Sequence, residues 1–128
     1  FDVLGLEDEK GSDGNNYVIA YIAPSSPKVA LNDMKVGIYR MKDMMTFPFV
    51  DNLRVKIDPR MPSMGNHGSP NNTDLLQTNG LYNGKLSLTM TGYWKINLQV
   101  LNTANEVLKG EAVTTENTAS SLYFEIEF

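Results

Sequence analysis

Met61, Met64 and His67 stand three residues apart in the stretch DPRMPSMGNHGSPNN, residues 58–72. Two thioethers and an imidazole make a soft donor set, because thioether sulfur favours Cu(I) and imidazole is a competent co-ligand. A Met-x-x-Met-x-x-His spacing gathers the three if the chain curls. Gly65 and Gly68 permit a curl, since glycine reaches positive φ without a Cβ penalty. Histidine occurs nowhere else in the chain, whereas Met34, Met41, Met44, Met45 and Met90 enlarge the stock of thioethers. The competing reading is packing. Methionine is a flexible core filler and a good neighbour for aromatic rings. Met61 and Met64, framing Pro62, would then plug one end of the fold beneath Tyr93 or Trp94, with His67 a hydrogen-bonded loop residue.

Other chemistry is thinner. A Ser-His-acid triad would have to use His67, and no G-x-S-x-G elbow accompanies it. Cysteine is absent, so no disulfide, zinc–thiolate site or catalytic thiol arises within the chain. Of the carboxylate pairs, Glu125/Glu127 falls on an outward strand face and Asp8/Glu9 in a polar lead-in, and both read as solvated surface. No glycine loop precedes a helix to cradle phosphate. Asn71-Asn72-Thr73 matches a glycosylation sequon. The expectation is a protein that is not an enzyme. Met44, Met45, Phe47 and Phe49, grouped around Pro48, form either core or an exposed apolar patch for a protein partner.

These residues need a scaffold of 128 residues, the length of one domain. Apolar content of 41% supplies a core, and a net charge of −4 with 11 dispersed Lys and Arg excludes a nucleic-acid or polybasic membrane surface. No apolar run approaches the roughly 20 residues of a membrane helix, so the chain is not expected to insert in a membrane. It begins at Phe1 and reads as a piece of a longer protein, with any leader or anchor upstream.

Residues 1–16 read as a flexible acidic lead-in or an edge segment, and residues 17–128 as a single β-sandwich domain. YVIAYI (17–22) is β-branched and aromatic. Beyond it, apolar and polar residues alternate: Met34, Val36 and Ile38; Leu53, Val55 and Ile57; Leu86, Leu88 and Met90; Trp94, Ile96, Leu98 and Val100; Leu122, Phe124, Ile126 and Phe128. Val107–Val113 is weaker strand. No window carries a helical face. About seven short strands, each with one apolar face, make an all-β, two-sheet antiparallel sandwich with Trp94 at its centre. Thr91-Gly92 reads as a hairpin turn between two strands, and Thr103-Ala104-Asn105 folds the Trp94 strand back on Val107. Residues 59–80 lack alternation and read as a long loop of the functional kind. Met34 and Met90 lie on apolar strand faces and read as core.

MPSMGNHGSP, followed by GLYNGKLSLTMTGYWKINLQVLN, resembles the YtkA-like/FixH group of bacterial envelope domains. The resemblance rests on Met61-Pro62-Ser63-Met64 and His67, then Gly80-Leu81-Tyr82-Asn83-Gly84, then Met90, Gly92 and Trp94, with Ile96, Leu98 and Val100 behind them. It covers roughly residues 30–102. It implies an immunoglobulin-like β-sandwich in the cell envelope, periplasmic or on the outer surface, held by an upstream lipid anchor or membrane helix. It further implies Cu(I) handling or a protein partner in haem–copper oxidase maturation, with Met61, Met64 and His67 as the metal loop. The alternative, from the residues alone, is an Ig-like structural spacer or surface interaction module that binds no metal.

Overall fold

Alternation in the sequence becomes alternation in burial. A computed structural model describes residues 11–128 and the backbone of Val3–Leu4. The part of the expected acidic lead-in at residues 5–10, with its Asp8/Glu9 pair, lies outside the described residues. Ten strands follow in chain order: β1 (Val3–Leu4), β2 (Tyr17–Ala23), β3 (Ala30–Arg40), β4 (Arg54–Met61), β5 (His67–Gly68), β6 (Leu75–Thr78), β7 (Leu81–Leu88), β8 (Tyr93–Leu101), β9 (Val107–Gly110) and β10 (Tyr123–Glu127). One 3-10 turn spans Pro62–Met64.

Every strand pairing is antiparallel. The order across the sheet is β1-β2-β3-β7-β6-β4-β8-β10, with β5 added to β4 and β9 to β8. This is a curled all-β sheet that wraps one core. Met34, Val36, Ile38, Tyr82, Leu86 and Leu88 enter it from β3 and β7. Val55, Trp94, Ile96, Leu98, Val100, Phe124 and Ile126 enter from β4, β8 and β10. These are the faces the alternation marks, and each fully buried side chain of this size contributes about 1.5–3 kcal/mol.

Polar groups drawn inside find partners. The Tyr82 hydroxyl donates to the Val50 carbonyl at 2.6 Å and accepts from Leu53 N at 3.1 Å, so it pins the link into β4. Asn97, on the outer face of β8, is buried under the 111–121 segment. Its amide donates to Asp58 O at 3.0 Å, and its oxygen accepts from Ser120 N at 2.9 Å.

Three expectations need correction. Thr91-Gly92 is not a β7–β8 hairpin: β7 lies between β3 and β6, while β8 lies between β4 and β10. Gly92, at φ 133°, instead exchanges backbone hydrogen bonds of 3.0 and 3.2 Å with Phe128. Alternation specifies which face is buried, not which neighbour is paired. Secondly, the stretch 59–80 is no continuous loop. Pro59 continues β4 opposite Ile96, and β5 and β6 lie further along. Thirdly, Met90 falls just past the end of β7 and is 38% exposed, whereas Met34 is core as expected. The expected return of the Trp94 strand is present, with Leu101 opposite Val107.

Candidate functional site

The inward series Leu53, Val55, Ile57 runs on through Pro59 to Met61, the last residue of β4. Met61 therefore belongs to the core face and is 3% exposed. Pro62 then opens the 3-10 turn, where its fixed φ suits a first turn and its missing N–H costs nothing. Gly65 (φ 66°) and Asn66 (φ 58°) are both left-handed and reverse the chain. Glycine takes that conformation freely, and asparagine is among the few other residues that tolerate it.

The reversal sets His67 directly opposite Met61 and Gly68 opposite Arg60. Directly opposed residues share a face, with Cβ atoms about 4.5–5.5 Å apart. On β4's other side the register places Arg60 against Lys95, one step from Trp94. His67, Met61 and Trp94 thus form a row across β5, β4 and β8. The imidazole stands 6.3 Å from the Trp94 ring, tilted by 52°. His67 is exposed at the rim and Met64 is 54% exposed on the turn, while Trp94 is fully buried. The Trp94 indole donates to the Met90 carbonyl at 3.0 Å, which fixes the ring and places the backbone of Met90 beside this corner. The methyl of Met61 reaches Gly92 so closely that a Cβ there would sit 2.8 Å from it.

The opposite face of the hairpin holds it in place. Arg60 Nε and Nη2 donate to the Asp58 carboxylate at 2.8 and 3.3 Å, and Nη1 donates to the Asn66 carbonyl at 3.3 Å. The Asn66 amide donates to Thr118 O at 3.1 Å, tying the turn to the 111–121 segment. The guanidinium and the donor row are on opposite sides of the hairpin, because Arg60 and Met61 are sequential strand residues.

Comparison with protein-family models, with curated proteins and with solved structures finds no match to this chain. The site must be judged on its own donors. Thioether and imidazole suit a soft, weakly charged metal ion. Among the described residues no three His, Cys, Asp or Glu side chains gather, so a hard-cation cage is not built there. Met64 and His67 are open to solvent, and Met61, the cross-strand partner of His67, is buried. Met90, which strand parity places in the core, is 38% exposed at the same end of the fold, because β7 ends at Leu88.

The second expected patch divides. Met44 and Met45 are 88% and 90% exposed at a turn closed by the Asp43–Thr46 bridge, and Phe47 is partly exposed beside them. Phe49 turns inward, stacked on Tyr82 with ring centroids 5.7 Å apart and edge-on to Tyr39 at 6.0 Å. It is a wall of the core, so the apolar surface at this turn is Met44, Met45 and Phe47. Glu125 and Glu127 are exposed, as the alternation implies. Glu125 accepts from the Tyr93 hydroxyl at 2.8 Å. Burial and that carboxylate push the Tyr93 phenol up to about 12.

Proposed function

We propose that the chain is a non-enzymatic binding module of the cell envelope whose β4–β5 hairpin takes up a soft metal ion, Cu(I) before others, for delivery to a protein partner. The observation that carries this reading is the Met61–His67 cross-strand pair with Met64 on the turn between them. It puts three soft donors at one end of one sheet. Met64 and His67 would be the outer ligands and Met61 the inner one. The protein supplies preorganisation, since the turn is fixed from behind by Arg60 and Asn66 before any ion arrives.

The architecture is best read as an immunoglobulin-like two-sheet sandwich. In chain order β2, β3, β4, β6, β7, β8 and β10 would take the places of strands A to G, and the strand order, β2-β3-β7-β6 followed by β4-β8-β10 in one continuous path, supports that reading. Split between β6 and β4, that path would give the ABED and CFG sheets of the fold.

A second reading draws on a different observation. Met61 is buried against Gly92 like any core residue, which favours a structural or surface-interaction module that binds no metal. An anaerobic Cu(I) competition titration against a chromogenic chelator separates the two. The informative variants are Met64→Ala and His67→Ala, whose side chains are exposed and whose loss leaves the core intact. One tight equivalent in the parent protein, weakened in both folded variants and weakened on acidification as protons compete for imidazole, is the expected result. No competition by the parent assigns the corner to packing.

A further inference from the structure

We propose that the outer edge of β10 accepts an extended segment of a partner protein carrying alternating apolar and basic residues, added to the sheet as an antiparallel strand. The proposal is independent of the metal reading.

β10 ends the strand order and has no second neighbour among the described residues. Its bond parity is set by Gly92 and Phe128, which exchange both backbone hydrogen bonds, and by Leu98 N, which donates to Leu122 O at 2.9 Å. In an antiparallel pair such bonded positions alternate. Residues 122, 124, 126 and 128 therefore face β8. Tyr123, Glu125 and Glu127 direct their N–H and C=O groups away from it, to the side that no described residue pairs with. Beside this edge runs a groove of about 370 Å³ lined by Ile22, Pro24, Pro27 and Ile126 with Glu125 and Glu127. Ile22 is 39% exposed there. Beneath the groove Tyr21 and Phe124 meet edge to face at 5.1 Å and seal the core. The sheet thus has an apolar slot and a row of bond donors and acceptors at one edge, the arrangement that strand addition uses.

Charge selects the occupant. Glu125 and Glu127 are both exposed on the outer face. A second copy pairing antiparallel about Glu125 would set that carboxylate against its own equivalent, which is unfavourable. On the occupied side, the residue opposite Glu125 is Lys95. A strand with Lys or Arg at alternate positions repeats that pairing on the open side, with its apolar residues turned into the slot.

The test uses a short capped peptide of alternating lysine and valine, with the intact chain as receptor and amide hydrogen exchange as readout. Exchange at Tyr123, Glu125 and Glu127 should slow, while Phe124 and Ile126, already bonded to β8, should not change. The Glu125→Gln/Glu127→Gln variant should bind about fivefold to tenfold more weakly, and a peptide N-methylated at alternate amides should lose the protection. Absence of protection at the three odd positions overturns the proposal. So does equal binding of the N-methylated peptide, which would mean attraction of charge without strand pairing. Protection that appears without peptide and grows with protein concentration would assign the edge to a second copy and overturn it too.

Discussion

Two turns of this molecule are rich in methionine, and they treat it in opposite ways. At 43–46 the chain exposes Met44 and Met45 almost completely. Its closure is local: Met45 N donates to the Asp43 carboxylate at 2.8 Å, and Asp43 bridges Thr46. At 61–68 the first methionine is buried, and the turn is held by the adjoining Arg60 and, from distant segments, by Trp94 and Thr118. Residue type does not explain the contrast. Met61 continues the inward parity of a strand, whereas Met44 and Met45 follow the end of one. Only the second turn seats a methionine, Met61, in the core beside its exposed one, and fixing donors in advance favours binding.

Substitution at the two turns should therefore give unequal costs. Met61→Ala leaves a cavity beneath the rim and should lower stability by about 2–5 kcal/mol. Met44→Ala and Met45→Ala should stay within about 0.5 kcal/mol. Chemical denaturation of the three variants measures this; equal effects would erase the contrast. A smaller effect sharpens the account of the pinned turn. Gly92→Ala should cost about 1–3 kcal/mol, because its φ of 133° suits glycine and its Cβ would meet the Met61 methyl. Combined with Met61→Ala, part of that cost should vanish, so the double variant should be more stable than the sum of the singles implies. Strict additivity would mean that the two residues do not touch.

The smallest effect concerns the base of the exposed turn. Met41 N donates to Asn16 O at 2.8 Å, so the 41–47 segment rests on the 11–17 turn. There the Tyr17 hydroxyl donates to Asp13 at 2.5 Å. Burial pushes the Asp13 carboxyl up, but the bonds from Tyr17 and Asn15 outweigh it and leave it below the usual value. A lowered carboxyl stabilises the fold above its unfolded value, about 3.9, and that contribution disappears as pH falls through the folded value. Burial and Asp13 raise the Tyr17 phenol, whose contribution is present below about 10 and lost as pH rises through the folded value. Protection of the Met41 amide, measured against its intrinsic exchange rate at each pH, should therefore fall slightly in acid, and Tyr17→Phe should remove most of that change. Protection at Gly68 should not follow it. Parallel acid responses at both turns would contradict separate anchoring.

Much of this was legible in the sequence. Leu53, Val55, Trp94, Ile96, Leu98, Val100 and Phe124 declared their faces by parity, because period two is a local property. What was lost depends on distance or on endings. Nothing in Thr91-Gly92 says that the next strand crosses to β4 instead of returning along β7. Pro59 breaks the look of a strand without breaking its parity, which concealed Met61 as the next inward residue. Phe49 resembles its exposed neighbour Phe47 in sequence, and only the stack on Tyr82 separates them. For the candidate site, the donors and their spacing were visible, while the row they form with Trp94 required the register between β5, β4 and β8.

Trp94 is the chain's only tryptophan, and its ring lies 6.3 Å from His67, so its fluorescence reports on that corner alone. Anaerobic Cu(I) titration of the intact chain should quench it to saturation at one equivalent. The same titration of Met64→Ala/His67→Ala, confirmed folded by circular dichroism, should leave the signal nearly flat. Unquenched fluorescence in the parent, or undiminished quenching in the variant, would contradict a metal held by Met64 and His67 above Met61.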